Sequence, residues 1–451
     1  MKRVSQGALL GTALVYSFAF GGSAIAQDVA LFGGRQLTVE RVIPGVGEIL
    51  LPESSRRRPE DLGLRAHTHY RIFKPINVTG PTALPLRSTG VSPAMTMGET
   101  PASMACVYKV VAQAHGCNPN IVTRNAGGGS QAIGIVDAYH NPTALADLQT
   151  FSTQYGLPAP HLKVVYCSST TCAGVSTPPP SNQDWAGEIA LDIQWAHAMA
   201  PHAKIILVEA NSNSFVDLLR AEDRAAQLVH AAGGGQVSNS WGGGEFGGQT
   251  AFDSHFVKSK VVFFASTGDH KCSGAPNCVD VEYPSTSPNV IAVGGTTVNR
   301  ANNGNFQKET AWIDTGGGIS SVYPRPSFQN VVHSKVGAMR GVPDVAWNAD
   351  PESGVPVYCS AGSCGSSGGF FQFGGTSLSS PAVAAMTNNA GKFRASGDAQ
   401  HKALYKGYGG DNFSDVVGGQ CGNGPSGAFV TAKKGWDACT GIGTPNTLDG
   451  L

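Results

Sequence analysis

Ala132-Ile133-Gly134-Ile135-Val136-Asp137-Ala138-Tyr139 decides the fold. The run is apolar nearly throughout and lacks the alternation of a strand with one wet face. It therefore predicts a strand buried on both sides. A helix follows through Ala144-Leu145-Ala146-Asp147-Leu148. The pattern then repeats along the chain. Val164-Val165-Tyr166 is a strand, about Asp184 to Met199 a long helix, Ala203 to Glu209 a strand, and Ser214 to Ala232 a helix. Gln236–Ser240, Val261–Ser266 and Val290–Val293 are further strands, and Ala102–Val110 an earlier helix. Buried strands alternating with helices predict an α/β fold, a doubly wound, mostly parallel sheet with helices on both faces. Ligands in such sheets bind beyond the carboxyl ends of the strands.

Composition narrows the function. The 451 residues are 41% hydrophobic, enough for a large core. Lys+Arg and Asp+Glu both number 31, so no basic field points to nucleic acid or a membrane surface. Residues 1–26 predict a signal peptide: Lys2 and Arg3, an apolar run from Ala8 to Phe20, and the small-x-small signal Ala24-Ile25-Ala26. A secreted location, extracellular or periplasmic, is expected. Ten cysteines fit export. They fall in close pairs, Cys106/Cys117, Cys167/Cys172, Cys272/Cys278, Cys359/Cys364 and Cys421/Cys439, and nearest-neighbour bonding is the simplest pairing, although spacing does not fix connectivity. Residues 27–97 are irregular and rich in turns, apart from a possible strand at Gln36–Val42. They are expected to form an N-terminal extension or short prosegment outside the main core.

Four groups carry chemistry. Glu188 and Asp192 stand four apart on a helix whose other residues are nearly all apolar, so both carboxylates share one face and compete for a proton. A solvated acidic pair is the ordinary alternative, and the apolar neighbours argue against it. Asp269 follows the apolar strand Val261–Ser266 after a glycine, where a site residue or an ordinary turn Asp would stand. In Gly374-Gly375-Thr376-Ser377-Leu378-Ser379-Ser380-Pro381 two glycines permit a close backbone approach. Ser379-Ser380-Pro381 reads as the start of a helix. A serine there combines an exposed hydroxyl with a free backbone N–H, as a nucleophile beside an anion-stabilising donor requires. No His-Gly-Thr run and no H-E-x-x-H motif occur, and Gly365-Ser366-Ser367-Gly368-Gly369 lies in a glycine loop without a flanking strand or helix.

Together these motifs resemble the sedolisins, serine-carboxyl peptidases with a subtilisin-like fold. The resemblance rests on Glu188-x-x-x-Asp192, Ser238-Asn239-Ser240-Trp241-Gly242, Ser266-Thr267-Gly268-Asp269 and Gly374–Pro381, in that order, and runs from about residue 98 to the C-terminus. It implies a peptidase domain over residues 98–451, with Ser377 as nucleophile, Glu188 as general base oriented by Asp192, and Asp269 in the oxyanion hole. It also implies a Ca2+ site formed by Asp415, Val416, Lys433, Gly435 and Asp437, where Lys433 departs from the usual glycine. An ionised Glu188 and a protonated Asp269 coexist most easily in acid, so an acidic optimum is expected. The expected partners are protein or peptide substrates, with no nucleic acid and no membrane after signal removal; the chain is expected to be a monomer. The expected function is that of a secreted, acid-active endopeptidase. A tripeptidyl-type exopeptidase and a catalytically silent binding protein on the same scaffold are the alternatives. The short extension is a second departure, because sedolisins usually carry a large folded prodomain.

Overall fold

The opening run forms the strand Ala132–Ala138, buried at every residue. It lies inside an eight-stranded sheet ordered Phe306–Ala311, Val290–Arg300, Val261–Ser266, Gly235–Asn239, Ala132–Ala138, Lys204–Ala210 and His161–Cys167, with Val345–Asn348 added beside Val290–Arg300. Neighbours run parallel, except that Phe306–Ala311 is antiparallel. The continuous apolar runs divide between two cores by alternation. Ile133, Ile135, Ile205, Leu207, Val262 and Phe264 face one side. Ala132, Val136, Ile206, Val208, Val261 and Phe263 face the other.

The computed structural model describes residues 29–32, 35–75, 98–271, 281–360, 368–422 and 431–451. The expected signal peptide, the Cys272/Cys278 pair and Cys364 lie outside them. Three of the expected disulfides are present, Cys106–Cys117, Cys167–Cys172 and Cys421–Cys439.

Two helices cover the first face and meet each other. The carboxylate helix, Gln183–Met199, is capped by the Asn182 side chain and buried along almost its whole length, as a helix apolar on all sides should be. The serine helix spans Thr376–Asn389. It starts earlier than Ser379, the start that its hydroxyls and proline predict. Pro381 therefore sits inside the helix and cannot donate to the Ser377 carbonyl. The Ser240 hydroxyl donates to that carbonyl instead, at 3.1 Å, so the missing bond is replaced from a neighbouring loop. Phe215–Ala231 covers the opposite face, with Phe215, Leu218 and Val229 in its core.

The N-terminal segment differs most from expectation. Gln36–Val42 does form a strand, within Arg35–Ile43, but the described part of residues 27–97 does not stand outside the main core. It enters a six-stranded antiparallel sheet ordered Val29–Phe32, Arg35–Ile43, Gly47–Leu51, Arg71–Pro75, Gly369–Gly374 and Val355–Cys359. Leu37, Leu50, Tyr70 and Ile72 join the large core cluster. These short strands carry weak patterns alone; they pair with one another, and only Arg71–Pro75 joins them to the body, through Gly369–Gly374 about 300 residues away along the chain.

The fully buried Leu50 tests this packing. In a Ser377→Ala background, Leu50→Ala should cost about 2–5 kcal/mol in urea unfolding. A loss below about 0.5 kcal/mol would place the segment outside the cooperative core.

Candidate active site

Three loops meet beyond the carboxyl ends of the central strands. They follow Ala132–Ala138, Gly235–Asn239 and Val261–Ser266; the last two supply Ser240 and Asp269, and Asp137 stands at the end of the first strand. The parallel register brings these ends level, and the serine helix closes over them. All four sequence-nominated residues, Ser377, Glu188, Asp192 and Asp269, are buried in this region.

Ser377 is the second residue of its helix, so its N–H has no partner inside the helix. That N–H donates to the His69 carbonyl oxygen at 2.9 Å. The His69 N–H in turn donates to Ser377 Oγ at 3.0 Å, and Ser377 Oγ donates to the Ser240 carbonyl at 3.2 Å. Gly375, at φ 108°, permits this approach. A Cβ there would stand 2.2 Å from the His69 oxygen and 2.6 Å from Asp269 Oδ2, so the two oxygens converge on one spot.

The cleft is filled by the chain itself. His67–Thr68 pairs antiparallel with the Trp241–Gly244 strand, Thr68 opposite Trp241 and His67 opposite Gly242. Arg71–Pro75 pairs antiparallel with Gly369–Gly374, Arg71 opposite Gly374. Between the two ladders the His69–Tyr70 peptide bond lies against Ser377. Its side chains are received in kind. His69 Nδ1 is 2.6 Å from Ser266 Oγ, while Tyr70 stacks on Phe373 and donates to the Asp184 carbonyl at 2.7 Å. Gly187 leaves room for the Tyr70 hydroxyl. Sequence reading missed this segment, because nothing local in His67-Thr68-His69-Tyr70-Arg71 signals a cleft.

Glu188, Asp192 and Asp137 are buried acids with no cation bonded to them among the described residues. Glu188 is held well above the usual carboxylate range by burial, then by the charges of Asp192 and Asp137. Asp192 is raised by burial and by Asp137. Asp137, at the end of the central strand, is raised by burial and by Glu209. Its carboxyl was not singled out from the sequence, although its place near a buried strand end was the available signal. No oxygen of Glu188, Asp192 or Asp137 has a hydrogen-bond partner among the described residues. The Ser377 hydroxyl favours ionised Glu188, but in the filled cleft its proton is directed at Ser240. These acids share protons rather than ionising together.

Asp269 is pushed up to about 7 by burial, against the pull of Arg71 and of bonds from Thr376. Its Oδ1 accepts the Thr376 N–H at 2.8 Å, while the buried Oδ2 has no hydrogen-bond partner and lies 3.6 Å from Arg71 Nη1. Below neutrality this carboxyl keeps its proton and can donate to an oxyanion. A serine, a buried carboxyl pair, a protonatable aspartate and a main-chain donor therefore surround one peptide bond. That set can perform acyl transfer.

The residues implied for calcium also gather. Asp415 accepts the Gly435 N–H at 2.9 Å, and Asp437 accepts the N–H of Lys433 at 3.0 Å and of Cys439 and Thr440 at 2.9 Å. Asp437 is pushed up to about 6 by burial, and no charged side chain among the described residues is bonded to it. A hard divalent cation would satisfy that carboxylate, so the residues fit the ion.

The sequence profile of the subtilase family matches residues 170–395. Kumamolisin of Bacillus sp. (strain MN-32) is 32% identical over 343 residues, covering 70% of this chain and 59% of that protein. Tripeptidyl-peptidase 1 of Dictyostelium discoideum is 26% identical over 356 residues, covering 71% of this chain and 53% of that protein. The chain thus spans little more than half the length of these relatives. The solved structure of Pseudomonas sedolisin, a serine-carboxyl proteinase complexed with pseudo-iodotyrostatin, superposes with a TM-score of 0.63 at 24% identity. The match covers 77% of this chain and 95% of that one, and it supports the shared fold.

Raised carboxyl pKa values bind protons in the folded state, so their contribution to stability is present in acid and lost as pH rises. Adding Glu188→Gln to Ser377→Ala should therefore raise Tm more near pH 7 than near pH 4. Equal effects at both pH values in calorimetry would mean that Glu188 is not buried with a raised pKa.

Proposed function

This chain belongs to the sedolisin family within the subtilases, and from that premise we propose that it is a secreted serine-carboxyl peptidase cleaving peptide bonds of proteins in acid. The observation that carries the proposal is the Ser377 N–H held 2.9 Å from a peptide carbonyl, with buried acids around it. Ser377 Oγ attacks the carbonyl carbon and its proton passes to Glu188. Asp192, one helical turn away, shares the proton load and orients that base. The oxyanion receives bonds from the Ser377 N–H and from protonated Asp269. Glu188 then returns its proton to the leaving amine, and water hydrolyses the acyl-serine by the same steps.

The two pKa requirements set a window. Glu188 must be ionised, and burial opposes this while the cleft is filled. Opening the cleft to water relieves that penalty and lets the base work in mild acid. Asp269 must be protonated, and it loses its proton as pH rises through about 7. Asp192 and Asp137 keep Glu188 basic enough to accept the serine proton.

In the uncut chain the first substrate is its own segment. The strand pairing on both sides and the oxyanion contact single out His69–Tyr70 as the bond presented to Ser377. Hydrolysis of other chains needs both halves of the segment to leave the cleft, so the uncut chain is a latent form. Endopeptidase action is the reading we favour; similarity to tripeptidyl-peptidase 1 supports exopeptidase action as the second reading. Ca2+ would be held by Asp415 and Asp437 with the carbonyls of Val416, Lys433 and Gly435, fixing the C-terminal loop.

Three outcomes are expected. Acidified wild-type protein should yield a chain beginning at Tyr70 and digest casein, whereas Ser377→Ala should stay uncut and inactive by N-terminal sequencing and peptide release. An N-terminus elsewhere would unseat His69–Tyr70 as the bond. The wild-type rate should fall as pH rises through about 7. In Asp269→Asn, whose amide donates at any pH, that limb should vanish while kcat drops about 10²–10³-fold. A chelator should lower the Tm of the Ser377→Ala chain, and Asp437→Asn should lower it to the same value; an unchanged Tm would argue against the calcium site.

A further inference from the structure

A second cluster of chemistry-bearing side chains sits beside the cleft, and the mechanism uses none of it. His67 and His69 belong to the cleft-filling segment. His270 follows Asp269 on the loop after Val261–Ser266, and Glu282 lies on the short strand Glu282–Tyr283. One ligand atom each from His67, His270 and Glu282 lie within 4.8 Å of one another. Glu282 Oε1 is 3.2 Å from His67 Nε2, and its Oε2 is 2.7 Å from His69 Nε2. The His67 ring packs edge-on against both other imidazoles, at centroid distances of 5.1 Å to His69 and 5.0 Å to His270.

Hydrogen bonding alone does not complete this cluster. His67 is bonded to Glu282. His69 Nε2, Glu282 Oε2 and His270 Nε2 are all shielded from solvent and have no hydrogen-bond partner among the described residues. His69 Nε2 and Glu282 Oε2 do lie 2.7 Å apart and form an ion-pair contact with each other. His270 Nε2 has no such neighbour, and a buried polar atom left this way is costly and indicates a missing partner. The flanking residues are glycines, which let the Glu282 carboxylate and His69 ring pack close against the backbone. A Cβ on Gly242 would stand 3.0 Å from both Glu282 Oε2 and His69 Cε1, and a Cβ on Gly268 would stand 3.0 Å from the Glu282 carboxyl carbon.

The donor chemistry selects the partner. Imidazole nitrogens with one carboxylate suit a borderline divalent ion such as Zn2+, whereas Ca2+ takes oxygen ligands. Donors around tetrahedral zinc stand about 3.4 Å apart, so closing this group on an ion needs side-chain shifts of about an ångström.

We propose that His67, His270 and Glu282, with His69 as a fourth donor, form a Zn2+-type site bridging the cleft-filling segment to the body. An ion there ties the residues before His69–Tyr70 to the strand and loop that line the cleft. It would hold the segment in place by bonds that neither body nor segment can make alone. The site itself stands on the geometry of the uncut chain; only its role as a lock on latency rests on the peptidase proposal.

The test uses the full uncut Ser377→Ala chain, so binding is read without any activity. After chelator treatment and resupply of Ca2+, Zn2+ alone is titrated in at neutral pH by calorimetry. One Zn2+ per chain is expected, with affinity weakened about tenfold or more by His270→Ala and by Glu282→Gln. Both variants leave the segment's own sequence intact, and circular dichroism checks that they fold. In parallel, Zn2+ should slow amide hydrogen exchange across residues 67–73 in the parent chain and not in His270→Ala. Absence of stoichiometric Zn2+ binding, or binding that both variants retain, would overturn the site. Binding that the variants abolish but that leaves exchange across 67–73 unchanged would overturn the bridge.

Discussion

The hydrogen bond from the Ser377 N–H to the His69 carbonyl is the contact on which the arrangement depends. It requires a helix N-terminus aimed into a cleft, and hence a serine helix that begins at Thr376 with a glycine before it. It requires a strand ending at Gly374 to carry the chain in, and that strand is paired with Arg71–Pro75. It also requires the Ser240 loop beneath, whose carbonyl takes the Ser377 hydroxyl proton and whose own hydroxyl replaces the bond that Pro381 removes. Each of these elements comes from a different part of the chain, and each is fixed by packing rather than by local preference.

The same contact sets the electrostatics. With the segment in place, Glu188, Asp192 and Asp137 are sealed from water, and burial drives all three toward the neutral form. Arg71, brought in by the segment, pulls Asp269 the other way, toward ionisation. A neutral base is the opposite of what acyl transfer needs, while burial outweighs the pull of Arg71 and keeps Asp269 protonated in acid. The filled cleft is thus opposed to catalysis twice: it occupies the substrate's place, and it shifts Glu188 toward its protonated, idle state.

Much of this was legible in the sequence. Continuous apolar runs such as Ala132–Ala138 announced a sheet covered on both faces, because no half-exposed strand has that pattern. Glu188 and Asp192 stood out because two acids on an apolar helix are unusual, and Asp269 and Ser377 because glycines and strand ends precede them. What stayed illegible depends on long-range pairing. Residues 35–75 have little internal pattern, and their core contribution from Leu37, Leu50 and Ile72 appears only when they meet residues 355–374. The start of the serine helix was misplaced for a related reason. Pro381 normally marks a first turn, and only the distant Ser240 hydroxyl lets it lie deeper. Asp137 is illegible for its own reason: a single acid in a strand carries no pattern of its own.

The central claim is that the uncut chain holds His69–Tyr70 as an intramolecular substrate of Ser377. The concentration dependence of its cleavage tests this most directly. Purified uncut chain is acidified over about a hundredfold range of protein concentration, and the fraction cut is followed by intact mass. An intramolecular substrate gives first-order decay with one rate constant across the range. A rate constant that rises in proportion to protein concentration, with Ser377→Ala chain cut at the same rate by added wild type, would contradict the claim.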